Sequence, residues 1–135
     1  MSIKIQAEYE LVPQEAGASF VVREFRLPRF TSPWHLHPEI ELTLIVSGSG
    51  TRFVGDSVAA FRPGDLVLIG ANTPHYWRSA ERGSGGARSV VIQFRDDCLG
   101  ADFFRSRDMR AVAALLARAR RGLAFPATVR NEIAP

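Results

Sequence analysis

The chain is short of several things, and each shortage closes off a class of function. It has one cysteine, Cys98, in 135 residues. No internal disulfide can form, so the stapled scaffold of a small secreted domain is excluded, and a lone thiol fits a reducing compartment. Cys98 sits in "DDCLG", where two aspartates oppose ionisation and no cation favours it, so it reads as a packing residue and not as a nucleophile. No stretch approaches the roughly 18 apolar residues of a membrane span. The amino terminus "MSIKIQAEYE" lacks the apolar core of a signal peptide. Together these absences predict a cytoplasmic protein with no membrane partner. There is no internal repeat. What is there, 135 residues of which 46% are hydrophobic, suffices for one ordinary domain with a real core.

Charge of one sign is also scarce where it would matter. The net charge is +3, but residues 1–100 carry ten basic and eleven acidic groups while residues 101–135 carry seven basic and three acidic. The front of the chain has no basic patch interleaved with aromatics, so direct nucleic-acid binding by residues 1–100 is not expected.

Between Ser19 and Phe94 short β-branched and aromatic runs alternate with turn chemistry, as in "ASFVVREFRL", "ELTLIVSGSG", "TRFVGDSVAAF", "DLVLIG", "HYWRS" and "SVVIQF". The spacing predicts an all-β antiparallel sandwich or barrel. "RPGD" is a type II turn signal, with Pro63 fixing φ and Gly64 tolerating a positive one, and "SGSG" and "GANTP" punctuate neighbouring strands. The Gly-rich run Ala80–Arg88 reads as a loop beside the final hairpin. After Phe94 the period changes. In "SRDMRAVAALLARARRGL" Met109, Val112, Leu116 and Ala119 recur at helical spacing, which predicts an amphipathic helix over 108–121, capped by Ser106 or Asp108 and stopped at Gly122. A second helix begins in "PATVRNEIAP", with Pro126 at an early position, and looks cut short.

The chemistry is concentrated in "WHLHPEIEL", Trp34 to Leu42. Read as a strand, it puts His35, His37, Glu39 and Glu41 on one face and Leu36, Ile40 and Leu42 on the other. The third and last histidine, His75, follows a Pro-containing turn in "IGANTPHYW". Three imidazoles and a carboxylate are donors that zinc, nickel, iron, manganese or copper accept, with positions left for water or a ligand. The same groups can instead form a polar pocket bonded to one another or to an organic effector. Strand parity admits Glu39 as readily as Glu41.

These residues, with "RPGDLVLIGANTPHYW", resemble the cupin family of small β-barrels, whose first motif reads H-x-H followed by a glutamate and whose second ends in a histidine. The resemblance implies a double-stranded β-helix (jelly-roll barrel) with a C-terminal α-helical segment. It also implies a metal set of His35, His37, Glu41 and His75, its spacing selecting Glu41. The second motif departs from the family at Gly70 and Asn72, and Asn72 can supply the left-handed conformation a glycine would give.

A narrower resemblance rests on "WHLHPEIELTLIVSGSGTRFVGD", "FRPGDLVLIGANTPHYWRS", "VIQFRDDCLGADFF" and "LLARARRGLAF", in that order from about Phe25 to Phe125. These phrases look like the amino-terminal sensing half of AraC-type bacterial transcription regulators. That implies a sensing barrel over 1–100 and a helical connector over 101–135. DNA would then be read only through a C-terminal helix-turn-helix unit outside this sequence; the chain is then either a fragment of a longer regulator, which the cut-off helix favours, or a natural stand-alone cupin. The expected function is binding of a small polar effector, a sugar or an organic acid, and not catalysis. Trp77, Glu39 and Thr43 are the further candidates for effector contact, Trp77 sharing strand parity with His75. The competing class is a stand-alone metal-dependent enzyme, a dioxygenase or isomerase. The arginine-rich helix followed by a cut-off one favours the regulator. A homodimer is expected from the apolar outer parity of Leu36, Ile40, Leu42, Leu44 and Val46 and from the stripe of the helix.

Overall fold

The computed structural model describes residues 6–14, 16–31, 33–80 and 85–133. Two five-stranded sheets face each other. One runs β1 (Glu8–Tyr9), β3 (His35–Leu36), β8 (His75–Ser79), β5 (Gly50–Val54), β6 (Ser57–Phe61). The other runs β10 (Leu123–Ala124), β7 (Leu66–Ile69), β4 (Ile40–Ser47), β9 (Ala87–Phe94), β2 (Val21–Leu27). All pairings are antiparallel except β1 with β3. The expected all-β barrel with a C-terminal helical segment is what forms.

Alternation drives the layering. Along β9, Ala87, Ser89, Val91 and Gln93 are buried while their neighbours are half-exposed, and β8 buries His75, Trp77 and Ser79 in the same way. The inward apolar residues, among them Phe30, Ile45, Val54, Val67, Ile69 and Trp77, form one core between the sheets. Turn chemistry is as expected at two places: Asp65 N donates to Arg62 O across Pro63–Gly64, with Gly64 at φ +92°, and Asn72 takes φ +57° ahead of His75. Of the Gly-rich run Ala80–Arg88, residues 81–84 lie outside the described residues, and Ala87 and Arg88 already belong to β9.

The helical segment differs in detail from expectation. Helix α1 spans Arg110–Arg118 and is flanked by 3-10 turns at Arg107–Met109 and Ala119–Arg121. Neither Ser106 nor Asp108 caps it: Ser106 Oγ donates backwards to Phe103 O at 2.7 Å, and Met109 takes the cap position without a side-chain bond. The buried stripe is also rotated. Val112 is 37% exposed, whereas Leu115 and Leu116 pack with Ala119 against Ile40, Leu42 and Leu68. The apolar outer face of β4 is thus covered by the chain's own helix at Ile40 and Leu42, and Val46 stays exposed. Residues 101–133 do more than flank the barrel, because β10 pairs with β7. Helix α2 covers Ala127–Ile133.

The turn after α1 is locked by close approach at Gly70. Its N–H donates to Ala119 O at 2.7 Å, and a Cβ there would stand 2.7 Å from Arg120 N. Backbone cannot yield as a side-chain tip can, so Gly70→Ala is expected to destabilise the fold by about 1–3 kcal/mol. Urea titration checks this; a variant with unchanged stability would show that the contact between helix and barrel is not tight.

Candidate metal centre

His35 stands directly opposite His75 in the β3–β8 pair. The run from Trp34 to Leu42 is not one strand, however. It breaks at residues 37–39, so that β3 lies in one sheet and β4 in the other. Pro38 lacks the N–H that a continuing ladder would need. This break matters more than parity would, because it carries the chain across the barrel and lets residues from both sheets face one point. One nitrogen from each of His35, His37 and His75 lies within 4.8 Å of the others. Glu41, the first inward residue of β4, puts Oε1 3.2 Å from His37 Nε2 and Oε2 3.5 Å from His75 Nε2. The four side chains chosen from the sequence are therefore brought together, with Glu41 on the His37 and His75 side of the cluster.

Each imidazole is oriented by the same device. The Nδ1 of His35 lies 2.6 Å from Pro33 O, that of His37 3.0 Å from Glu39 O, and that of His75 2.7 Å from Thr73 O. A carbonyl oxygen only accepts, so each Nδ1 carries the hydrogen and donates, which leaves Nε2 as the atom available to the centre. His37 and His75 are each 1% exposed, and His75 Nε2 has no hydrogen-bond partner among the described residues. Glu41 is held in turn by Thr43 Oγ1, which donates to Oε2 at 2.8 Å, and by Gln93 Nε2, which donates to Oε1 at 2.9 Å. Oriented imidazole nitrogens, an anchored carboxylate and outer bonds that fix both make up a donor set that fits a divalent transition metal. His35, His37, Glu41 and His75 are the residues that would hold it.

The electrostatics agree. A lone pair on His37 Nε2 and one on Glu41 Oε1 cannot face each other at 3.2 Å without positive charge between them. In metal-free protein that charge is a proton. Burial pulls the His37 ring towards neutrality, but the Glu41 bond and charge outweigh it and hold its pKa above the ordinary histidine value. Burial likewise opposes ionisation of Glu41, yet the His75 charge and the hydrogen bond from His37 hold its pKa well below the usual carboxylate range. His35 goes the other way, lowered by burial and by the neighbouring charge of His75.

A cavity of about 170 Å³ opens against this cluster, touching His35 and Glu41. Thr43 and Trp77 line it, and Trp77 also belongs to the core. Glu39 does not line it. Its carboxylate turns to a separate, smaller cavity, where Gln14 Nε2 donates to Oε1 at 3.4 Å, because the strand break removes the parity that Glu39 would have shared with Glu41. Among the residues on the first cavity that were missed from sequence are Gln93, Arg23 and Glu10. Gln93 was findable as the polar residue on the inward parity of "SVVIQF", and Arg23 on that of "VVREF". Nothing local marks Glu10. Cys98 stands apart from the cluster, its thiol pKa pushed up by burial and by Asp97.

A family model described as "Cupin domain" matches residues 25–89. The fold is a cupin barrel. A cupin 2 conserved barrel domain protein from Rhodopseudomonas palustris is 23% identical with a TM-score of 0.51, the match covering 74% of each chain. Oxalate decarboxylase from Bacillus subtilis, described with Mn(II) centres, is 20% identical with a TM-score of 0.50 over 67% of this chain and 24% of that one. The same enzyme at pH 4.6 matches at 20% identity and a TM-score of 0.50 over 58% and 21%. This chain spans about a quarter or less of the decarboxylase's length, and the likeness is one of fold. No curated protein sequence matches it. No helix among the described residues is long and apolar enough to cross a membrane.

The paired shifts of Glu41 and His37 define a pH window. Glu41, with its pKa depressed by folding, contributes stability that is present above the ordinary glutamate value of about 4.3 and lost as pH falls below it. His37, with its pKa raised, contributes stability that is present below about 6.5 and lost as pH rises through its folded value. In chelator-treated protein, Glu41→Gln is therefore expected to cost most, about 3 kcal/mol, between those limits. The cost should shrink on either side in urea titrations across pH; a pH-independent cost would mean that the two groups are not charged partners.

Proposed function

We propose that this chain is the effector-sensing barrel of an AraC-type transcription regulator, in which a small polar molecule binds beside a divalent metal held by His35, His37, Glu41 and His75. The observation that carries the reading is the double role of β4. Its inner face presents Glu41, Thr43 and Ile45 to the cavity, while its outer face, at Ile40 and Leu42, packs against the residues of α1 and the turn that follows. A ligand that adjusts one face is felt by the helix on the other. In a packed interior such a shift moves elements as units, so effector occupancy biases the position of the helical segment. A helix-turn-helix unit joined to that segment would read the bias, in a cytoplasmic homodimer.

Bound there, a divalent metal supplies a Lewis acid that orients and polarises a ligand oxygen. The protein's own part is to hold three Nε2 atoms and one carboxylate in place and to wall the site with apolar side chains. The second reading, a metal-dependent enzyme such as a dioxygenase or isomerase, is favoured by the donor set itself, since four protein donors leave two positions of an octahedral ion open. Turnover of a bound ligand by metal-loaded protein would decide for it.

Elemental analysis should find about one divalent transition-metal ion per chain, lost in His75→Ala. Metal affinity should fall as pH drops through about 6.5, because protonated imidazole cannot ligate. Gln93→Leu, which keeps every ligand, should weaken it about 10–100-fold. Retention that ignores both pH and His75 would refute the ligand assignment. For DNA, the expected result is weak binding of this polypeptide that collapses as salt rises and does not prefer an operator over random duplex, since its arginines can offer only phosphate contacts. A gel-shift titration reads both, and salt-resistant sequence preference would contradict the assignment of DNA reading to a separate unit.

A further inference from the structure

Arg23 and Glu10 reach the cavity without belonging to the ligand set. Arg23 projects inward from β2 and is the one Lys or Arg among the described residues that line the cavity. Its Nη1 donates to Glu10 Oε1 at 3.1 Å and to Gln93 Oε1 at 3.4 Å, and its guanidinium lies 4.8 Å from the centre of the Phe25 ring. Glu10 arrives from another direction, immediately after β1, and places its second oxygen, Oε2, 3.5 Å from His35 Nε2. One carboxylate therefore bridges the cavity's cation and the exposed edge of the histidine cluster. Its anchorage is slight. The two residues of β1 are both exposed, and the segment is tied to β3 by backbone bonds such as Glu8 N to Trp34 O at 2.8 Å and Glu10 N to Leu36 O at 2.9 Å.

The remaining wall is mostly apolar, with Phe25, Leu27, Phe30, Ile45, Trp77 and Val91 outnumbering the hydroxyls of Thr43 and Ser89. A space of about 170 Å³ is close to the engineered apolar cavity of about 150 Å³ that takes benzene. A sugar would set most of its hydroxyls against these rings and aliphatic chains, at a cost that weakens binding. The Nε1–H of Trp77 is buried with no partner among the described residues.

We infer that the ligand of this cavity is a small monocarboxylate with an apolar body, and that its carboxylate takes the place Glu10 holds on the Arg23 guanidinium. Glu10 is then a tethered competitor: while it sits there, only the fraction of molecules in which it has swung away can bind, and the apparent affinity is reduced by that fraction. A guanidinium recognises a carboxylate by charge and by parallel N–H donors, which an alcohol or amine of the same shape cannot exploit. The inference rests on the barrel being a small-ligand binder, as proposed above, but not on the metal or on any DNA-binding partner.

Isothermal titration of the 135-residue protein with sodium benzoate tests it, with benzyl alcohol as the uncharged isostere and sodium hexanoate as a second shape, in chelator-treated and Mn(II)-loaded samples. Benzoate is expected to bind about tenfold or more tightly than benzyl alcohol. Glu10→Gln is expected to tighten benzoate by about tenfold, and Arg23→Met, checked for its fold by circular dichroism, to abolish the preference for the anion. The Glu10→Gln arm is a gain and so cannot be produced by misfolding. Equal binding of benzoate and benzyl alcohol, weaker benzoate binding by Glu10→Gln, or no binding of either acid by folded Glu10→Gln would each overturn the inference. Failure of the metal reading looks different: the same dependence on Arg23 and Glu10 would persist in chelator-treated protein, and no Mn(II) would be retained.

Discussion

The burial of the Glu41 carboxylate is the constraint around which the molecule is arranged. A charge at 5% exposure between two sheets loses several kcal/mol of hydration, and only direct partners offset that. They come from every side: Thr43 from its own strand, Gln93 from β9, and His37 and His75 from the direction of the opposite sheet. Meeting that demand ties the two sheets together at one polar point inside an otherwise apolar interior. It also explains why the inward face of β9 ends in a glutamine where packing alone would favour another valine.

The three Nδ1–carbonyl bonds solve a different problem. An imidazole has two nitrogens and no intrinsic preference for presenting one of them, and a buried ring free to flip would give a cluster without defined polarity. Each ring instead borrows a carbonyl within two residues of itself, so orientation is fixed by local backbone and does not depend on the rest of the cluster. A centre built in this way is preorganised before any ligand arrives, and the cost of ordering it is met during folding.

Much of this was legible in the residues. "RPGD", the left-handed Asn72, the change of period after Phe94 and the H-x-H spacing with Glu41 and His75 each encode something local: a turn, a backbone conformation, a face. What escaped was non-local. The apparent alternation through "WHLHPEIEL" suggested one continuous strand; Pro38 was the local sign of a break, but that the two parts join different sheets follows from the closure of the barrel, which no short window contains. Glu39 was misplaced with it. The rotation of the α1 stripe from Val112 to Leu115 was set by where the outer face of β4 lies. Arg23 and Glu10 meet because β1 adds to the far edge of one sheet and β2 to the far edge of the other, a coincidence in space with no trace in sequence spacing.

The two residues of β10 have a meaning beyond topology. Strand β7, "LVLI", is buried along its whole length and hydrogen-bonds to β4 on one side. Without Leu123 and Ala124 on its other side, it would present a flat, wholly hydrophobic ladder to solvent, the kind of template on which chains add to one another without limit. The polypeptide returns after α1 and supplies a partner so short that the new edge offers little to copy. The return of the chain after α1 therefore also closes an edge on which other chains could add.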